Sequence, residues 1–304
     1  MSNPRAYRKA VEQTVGIADK YTAESLVGRL TRIPVRRDQP RVLVCAGSGI
    51  GNICHVSPMV KKLAQHFGRP VDMLVAGDFA GSSAAMAGSE HVAQVFENLR
   101  HVAMRQYDYV LITHSFGTLV PSFNAYRVLA SRDFRMFEPG GDVHEAEFNL
   151  AFLQRALGID YDKSDTEGYF FGGIAADTPT LPVSQRRQLR IALHAGSKGG
   201  IWAAKRWPGF ARLAGTLMAS GAEVLSVGIK SEYVEGTLDK TDLTIARMAE
   251  ELSTCDAVIS NDSGVMNIAN AIGIPLVALF DPTNPATRAP LHSRAATASS
   301  RTAS

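Results

Sequence analysis

The sequence predicts an α/β protein with two doubly wound lobes that face a central cleft. Continuous apolar runs, typical of parallel strands buried on both faces, alternate with segments whose apolar residues recur at helical spacing. The alternation stops between Asp160 and Arg187, a poorly patterned stretch that contains Pro179 and Pro182. It then restarts, and two separate strand–helix series indicate two lobes.

The first lobe shows three strands and two helices. The strands are expected at 41–46, 71–76 and 108–114. A helix follows the first strand, because apolar residues recur there at helical spacing: Ile53, Val56, Val60, Leu63, Ala64 and Phe67. A second helix is expected over 144–159, ended by Gly158. The stretch 160–187 is interpreted as an edge hairpin and the linker to the second lobe.

The second lobe repeats the pattern with four strands and three helices. The strands are expected at 188–196, 222–228, 256–262 and 275–280. The helices are expected over 205–220, from Ile245 and from Val265, the last ended by Gly273. The predicted organisation is a helical extension (1–39), the two lobes (40–175 and 188–287) and a disordered tail (292–304) that is rich in Ser, Ala, Thr and Arg.

The composition is that of an ordinary globular enzyme. The chain has 304 residues, of which 45% are hydrophobic, and its net charge of +3 without a basic run argues against nucleic-acid binding. Neither an apolar run of membrane-spanning length nor a signal peptide is visible. We therefore expect a cytoplasmic protein with at most peripheral contact at the inner face of the membrane. The three cysteines are expected to be buried, and no cluster of metal ligands is visible.

The stretch AGSGIGNI (46–53) follows the first strand and looks at first like a dinucleotide-binding loop. Its glycines are Gly47, Gly49 and Gly51, which gives G-x-G-x-G and not G-x-G-x-x-G. No acidic residue ends the second strand, as that fingerprint requires. The nucleotide is therefore expected in the second lobe, and this loop is expected to bind something else.

The run SNDSGVMNIANAIGIP (260–275) places a strand end at Asn261 and a helix start at Asp262 or Ser263. Small polar residues suit a helix N-cap, and Gly264 lets a ligand approach the backbone. Free N–H groups and the helix dipole favour a phosphate there, although the Asp262 carboxylate would repel it unless Asp262 caps the helix or binds sugar hydroxyls. A capped helix without a ligand explains the spacing equally well.

Gly196 and Ser197 follow the first strand of the second lobe, where ligands bind in open α/β sheets. Lys205 is expected near the start of the next helix, where its charge would pair with a diphosphate and Trp207 would pack under it. A flexible basic loop with surface lysines is the alternative interpretation of the same residues.

Together these segments resemble the ADP-heptose:lipopolysaccharide heptosyltransferase family, glycosyltransferase family 9 with the GT-B fold. In the second lobe the resemblance lies in HAGS and K-x-WP (194–208), and in SNDSG followed by NIANAIGIPLVALFDPTNP (260–285). In the first lobe, GIGNICHVSP (49–58) resembles the family's Gly-Asp turn and downstream Pro, and HEAEFNLAFLQRALGI (144–159) resembles its His-Glu-x-x-x-Asn-Leu helix. The resemblance covers about residues 40–287.

The resemblance implies an inverting transfer of a sugar from a nucleotide-diphosphate donor, without a metal or other cofactor. By family expectation the donor is ADP-heptose, and the acceptor is a glycan, a lipid-linked sugar or a protein. The first lobe would bind the acceptor through the loop at Gly49 and Gly51. The second lobe would bind the donor through seven residues: Gly196, Ser197, Lys205, Asp262, Ser263, Gly264 and Asn267. Lysine and a helix N-terminus can neutralise a leaving diphosphate.

Two departures from the family pattern concern catalysis and the donor. Asn52 stands where the family often has an aspartate that acts as general base, and an amide cannot accept that proton. Asn267 stands where the family commonly has histidine. If catalysis is intact, His55 or His114 is a candidate base, and Asp78 is a third. Each histidine is better explained as a core or capping residue.

Two other functions stay open at this point. The first is a catalytically impaired nucleotide-sugar-binding protein of the same fold, which Asn52 and Asn267 motivate. The second is a nucleotide-sugar epimerase on the same two-lobed fold, against which the motif at 260–285 argues.

Overall fold

The structure is a computed structural model that describes residues 38–77, 81–103, 105–116, 123–174, 188–291 and 294–299. The chain divides into two compact units, the first formed by 1–140 and 145–168 and the second by 141–144 and 169–304. Each unit contains a parallel sheet, which confirms the predicted α/β class with two doubly wound sheets. Nearly all of the predicted helical extension, and Asp78, lie outside the described residues.

The sheet of the first unit has five strands in the order β3-β2-β1-β4-β5. They are β1 (Val42–Gly47), β2 (Val71–Ala76), β3 (Val92–Phe96), β4 (Tyr107–Ile112) and β5 (Ala125–Ala130). The chain places β2 and β3 on one side of β1 and β4 and β5 on the other. The carboxyl ends of β1 and β4 therefore form the switch point at which ligands bind in such sheets.

Four α-helices of the first unit lie within the described residues. They are α1 (Ile50–Phe67), α2 (Arg100–Ala103), α3 (Glu145–Leu157) and α4 (Lys163–Thr166). The side-chain amide of Asn149 in α3 donates to the backbone carbonyl of His55 in α1 at 3.0 Å, which ties the two longest helices together. As predicted, α3 ends at a glycine, since Gly158 adopts a φ of 70°.

The sheet of the second unit has six strands in the order β11-β10-β9-β6-β7-β8. They are β6 (Arg190–His194), β7 (Glu223–Gly228), β8 (Leu238–Thr241), β9 (Ala257–Asn261), β10 (Leu276–Phe280) and β11 (Ala295–Ser299). Its described helices are α5 (Phe210–Ala219), α6 (Ile245–Ser253), α7 (Gly264–Ala271) and α8 (Pro285–Arg288). Here the switch point lies between β6 and β9.

The helix predicted over 205–220 is shorter in the structure. Gly200–Lys205 form a 3-10 helix, and α5 starts only at Phe210. Pro208 explains the break, because a residue before proline avoids the α conformation, and Gly209 is the N-cap of α5. Lys205 therefore ends a 3-10 turn and does not open a helix.

The disordered tail predicted over 292–304 is wrong for Ala295–Ser299. These residues form β11, parallel to β10. Their small side chains bury little surface, but the outer edge of β10 offers backbone partners for a further strand. Within 160–174, the described part of the expected hairpin and linker, the structure has α4 and an isolated antiparallel bridge between Phe171 and Ile174. Residues 175–187, 292–293 and 300–304 lie outside the described part of the chain.

The three cysteines are buried, as the sequence predicts. Burial raises the pKa of Cys54 and of Cys255 to about 12, and it raises the pKa of Cys45 well above its ordinary value. All three thiols therefore stay neutral and pack as small apolar groups. No helix within the described ranges is long and apolar enough to cross a membrane.

A buried carboxylate stabilises the sheet of the first unit. The Tyr107 hydroxyl donates to Asp72 Oδ2 at 2.9 Å, and the Arg41 guanidinium lies 3.1 Å from the same oxygen. Burial and the negative charge of Asp72 raise the pKa of Tyr107 well above its usual range. The phenol thus stays protonated and can always donate this hydrogen bond.

Tyr107→Phe should lower the free energy of unfolding by about 1–3 kcal/mol, because Asp72 loses a buried donor. Urea unfolding measures the loss. Tyr109→Phe is the matched control, since its hydroxyl makes no hydrogen bond to the described residues, and it should change stability by about 0.5 kcal/mol or less. Equal losses for the two variants would contradict the role assigned to Tyr107.

Candidate active site

A buried ion pair lies at the switch point of the second unit. Lys205 Nζ is 2.5 Å from Asp262 Oδ2, and the two side chains are only 8% and 4% exposed. The Thr283 hydroxyl donates to the same carboxylate oxygen at 2.8 Å. Asp262 therefore fixes the position of the lysine. Its negative charge is paired with the Lys205 ammonium, which explains how a carboxylate can lie beside an expected phosphate site.

The aromatic neighbour of Lys205 is Trp202, and the prediction that Trp207 packs under the lysine is wrong. Lys205 Nζ lies 4.6 Å from the centroid of the Trp202 ring, close enough for a cation–π contact. Residues three apart eclipse each other in a 3-10 helix, which places Trp202 and Lys205 on one face. Trp207 is 39% exposed and packs edge-on against Phe210.

The start of α7 is capped by Ser263, not by Asp262. Ser263 Oγ accepts the backbone N–H of Met266 at 3.4 Å, and the side-chain amide of Asn267 donates to the Ser263 carbonyl at 2.9 Å. Gly264 is the first helical residue and has no side chain to cover the backbone. The first N–H groups of a helix have no intrahelical acceptor, so this end of α7 can bind an anion.

Gly196 and Ser197 form a loop that is fixed by its neighbours. The side-chain amide of Asn261 donates to the carbonyls of Ala195 and Gly196 at 2.9 and 3.2 Å. The Ser197 hydroxyl donates to the Trp202 carbonyl at 2.8 Å, and Arg206 donates to the Ser197 carbonyl at 2.8 Å. The Ser197 hydroxyl proton is thus used within the loop, and a ligand would meet its oxygen.

Four polar residues near Lys205, Asp262 and Ser263 are not among the site residues that the sequence predicts: His194, Glu232, Asn261 and Thr283. His194 is the last residue of β6, and its two ring nitrogens lie near Glu232 and Ser263. Three of the four fall within the motifs that carry the family resemblance, so the motifs could have pointed to them. Glu232 lies in the 3-10 helix Lys230–Glu232 and has no such signal.

In the first unit, His114 lies just past the end of β4, in the 3-10 helix His114–Phe116. Its Nε2 is 3.4 Å from Glu145 Oε1, and the two side chains are 9% and 1% exposed. The ring packs edge-on against Phe148, with centroids 5.0 Å apart. His114 Nδ1 is buried without a hydrogen-bond partner among the described residues.

The glycine turn of the first unit is the start of α1. Gly49 is the N-cap, and Gly51 and Asn52 lie in the first turn, partly exposed. His55 lies in the second turn rather than the first and is only 1% exposed, which makes it a core residue that a substrate cannot reach. Of the three catalytic candidates, Asn52 and His114 therefore follow the carboxyl ends of β1 and β4, at the switch point.

The two doubly wound parallel sheets match the GT-B fold of known glycosyltransferase structures. The glycosyltransferase family 9 structure from Veillonella parvula is similar with a TM-score of 0.67 at 18% identity, over 87% of this chain and 88% of that chain. E. coli ADP-heptose LPS heptosyltransferase II is similar with a TM-score of 0.64 at 16% identity, over 85% of this chain and 90% of that chain. These likenesses establish the fold.

The particular family follows from the sequence. The model of glycosyltransferase family 9 (heptosyltransferase) matches residues 132–304, and the chain belongs to this family. Lipooligosaccharide heptosyltransferase 2 of Haemophilus influenzae is 34% identical over 111 residues, which are 30% of this chain and 32% of that protein. Lipopolysaccharide heptosyltransferase 2 of Salmonella typhimurium is 32% identical over 109 residues, 30% and 31% of the two chains. The match thus spans about a third of these relatives.

Proposed function

We propose that this protein transfers heptose from ADP-heptose to an acceptor hydroxyl, with inversion and without a metal. The observation that carries the proposal is the buried Lys205–Asp262 pair at the switch point of the second unit. Membership of family 9 supports the sugar transfer, and the names of the matched relatives support heptose. The structure of the E. coli heptosyltransferase WaaC with ADP supports the adenine nucleotide.

The donor diphosphate binds between Lys205 and the N-terminus of α7. Lys205 and the free N–H groups of that helix neutralise the charge that develops as the glycosidic bond breaks. Thr283 and Asp262 keep the ammonium in place, and Gly196 and Gly264 let the phosphates approach the backbone. Asn267 donates a neutral hydrogen bond, since its amide carries no charge.

The base that the reaction needs is His114, assisted by Glu145. Glu145 Oε1 lies 3.4 Å from His114 Nε2, and its charge stabilises the imidazolium that forms when the ring takes the proton of the acceptor hydroxyl. The deprotonated oxygen attacks the anomeric carbon, and the bond to the diphosphate oxygen breaks to release ADP. Asn52 orients the hydroxyl from the first turn of α1, beside the acceptor-side loop at Gly49 and Gly51.

The acceptor is a lipid-linked glycan of the cell envelope. The lipopolysaccharide and lipooligosaccharide named in the matched relatives support this class. We place the reaction in the cytoplasm, at the inner face of the membrane, where ADP-linked sugars and lipid-linked acceptors meet.

Calorimetric titration with ADP, followed by assay of ADP release from ADP-heptose with and without lipid A–core acceptors, tests the proposal. We expect ADP to bind with micromolar affinity, about −8 kcal/mol, and release of ADP to require an acceptor. Failure of ADP to bind would overturn the donor assignment. Binding without hydrolysis or transfer would instead favour the catalytically impaired nucleotide-sugar-binding protein, which Asn52 and Asn267 motivate.

A further inference from the structure

A chain of three polar side chains lies beneath the start of α7. Glu232 Oε2 is 3.3 Å from His194 Nε2, and His194 Nδ1 is 3.0 Å from Ser263 Oγ. The side chains of His194 and Glu232 are only 6% and 9% exposed, so water screens them little. Ser263, the outer end of the chain, is the N-cap of the helix that binds the donor diphosphate in the proposed function.

Two glycines make room for the carboxylate at the inner end of this chain. A Cβ added to Gly196 would lie 1.9 Å from the carboxyl carbon of Glu232. A Cβ added to Gly228 would lie 2.4 Å from Glu232 Oε2 and 2.9 Å from His194 Cδ2. Glu232 thus fills a slot that is shaped by the absence of side chains at these two positions.

The directions of the hydrogen bonds follow from the charge of Glu232. Burial by itself raises the pKa of Glu232, but hydrogen bonds from His194 and the Ile229 N–H outweigh it and hold that pKa below its ordinary value. An ionised carboxylate only accepts hydrogen bonds, so His194 Nε2 carries a proton. In the neutral ring Nδ1 is an acceptor, and Ser263 Oγ at 3.0 Å is nearer to it than Ser260 Oγ at 3.3 Å. The Ser260 hydroxyl donates to the Asn261 carbonyl at 2.8 Å, which leaves Ser263 as the donor to Nδ1. Ser263 Oγ also lies 3.1 Å from Ser260 Oγ.

When His194 is neutral, the Ser263 hydroxyl group is therefore oriented unfavourably for binding an anion. The only hydroxyl proton of Ser263 points to the imidazole, and its oxygen presents lone pairs to the incoming phosphate. Protonation of Nδ1 reverses this bond, since an imidazolium donates from both nitrogens. The Ser263 hydroxyl can then turn its proton toward the phosphate, and the imidazolium adds a positive charge nearby.

We propose that binding of the donor diphosphate is coupled to the uptake of one proton by His194, a positioning residue that acts through Ser263. The proposal rests on the proposed donor site and deepens it. The charged groups around the imidazole are Glu232, which faces it, and Arg206, whose charge acts on Glu232. The Lys205–Asp262 ion pair adjoins Ser263 and adds no net charge.

Calorimetric titration with ADP near neutral pH, in two buffers of different ionisation enthalpy, measures the proton uptake directly. We expect the wild-type protein to take up more protons per ADP than His194→Gln does, by up to about one. The variant is the matched control, because glutamine keeps polar contacts but cannot titrate, and it corrects for protons exchanged by ADP itself. As the pH rises, the wild-type affinity should fall more steeply than that of the variant, by up to about tenfold per pH unit.

The sign follows from the proton balance. The protonated form binds the diphosphate, so affinity is retained at low pH and lost as the pH rises. Equal proton counts for wild type and variant, with intact ADP binding, would overturn the coupling and leave the donor site standing. Absence of ADP binding to the wild type would overturn the donor site itself and the coupling with it.

Glu232→Gln gives an independent measurement if His194→Gln does not fold. The carboxamide keeps the shape of the side chain but removes the charge that favours an imidazolium, so proton uptake should decrease. Unchanged proton uptake in Glu232→Gln would contradict the proposal.

Discussion

Lys205→Met should weaken ADP binding by more than tenfold. Methionine keeps the packing against Trp202 but removes the charge, and hydrogen bonds to charged groups contribute about 1.5–3 kcal/mol. The Asp262 carboxylate, only 4% exposed, would keep Thr283 as its remaining side-chain partner among the described residues. The free energy of unfolding should therefore fall as well, by about 3 kcal/mol. Calorimetry and urea unfolding measure the two effects.

The double variant Lys205→Met with Asp262→Asn separates binding from stability. It removes both members of the ion pair, so no buried charge is left without its partner and stability should recover in large part. Affinity for ADP should not recover, because the cation that meets the diphosphate is still missing. Recovery of both would mean that Lys205 is structural and does not contact the donor.

His114→Asn should lower kcat by about 10²- to 10⁴-fold and leave ADP affinity unchanged. Asparagine is polar and fits the space of the ring, but its amide cannot accept the acceptor proton. The base acts on the acceptor hydroxyl, so donor binding does not depend on it. Steady-state kinetics with a fixed acceptor, together with ADP calorimetry, separate the two quantities.

His101→Asn is the control for this change, since His101 lies exposed on α2 in the same unit. Its kcat should equal that of the wild type. Asn52→Ala provides a second comparison and should mainly raise KM for the acceptor, because Asn52 orients the hydroxyl without taking its proton. A large loss of kcat in Asn52→Ala, with normal kcat in His114→Asn, would exclude His114 as the base.

The strands that the sequence predicts correctly are the inner ones. Seven strands were expected and all are present, whereas the other four described strands are β3, β5, β8 and β11. These four are the outer strands of the two sheets. Inner parallel strands are buried on both faces and need continuous apolar runs, but outer strands expose part of their length. In β8 no residue is fully buried, so its sequence carries no such run.

The site could be predicted as a set of positions but not as a set of contacts. The motifs identify Lys205 and Asp262, yet these residues lie 57 positions apart, and their pairing depends on β9 lying beside β6. Strand order is not encoded in local periodicity. Trp202 packs against Lys205 in place of the predicted Trp207, and the cause is local. Lys205 ends a 3-10 turn instead of starting a helix, and Trp202, three residues before Lys205, lies on the same face of that turn.

The slot that holds Glu232 limits which residues homologues can carry at positions 196 and 228. Gly228 has a φ of 116°, so its conformation alone favours glycine, whatever residue stands at 232. Gly196 has no such constraint, and the three atoms nearest to a Cβ added there all belong to the Glu232 carboxyl group. Positions 196 and 232 should therefore co-vary: homologues that replace the glutamate by a smaller residue become free to carry alanine or serine at 196, while 228 remains invariant.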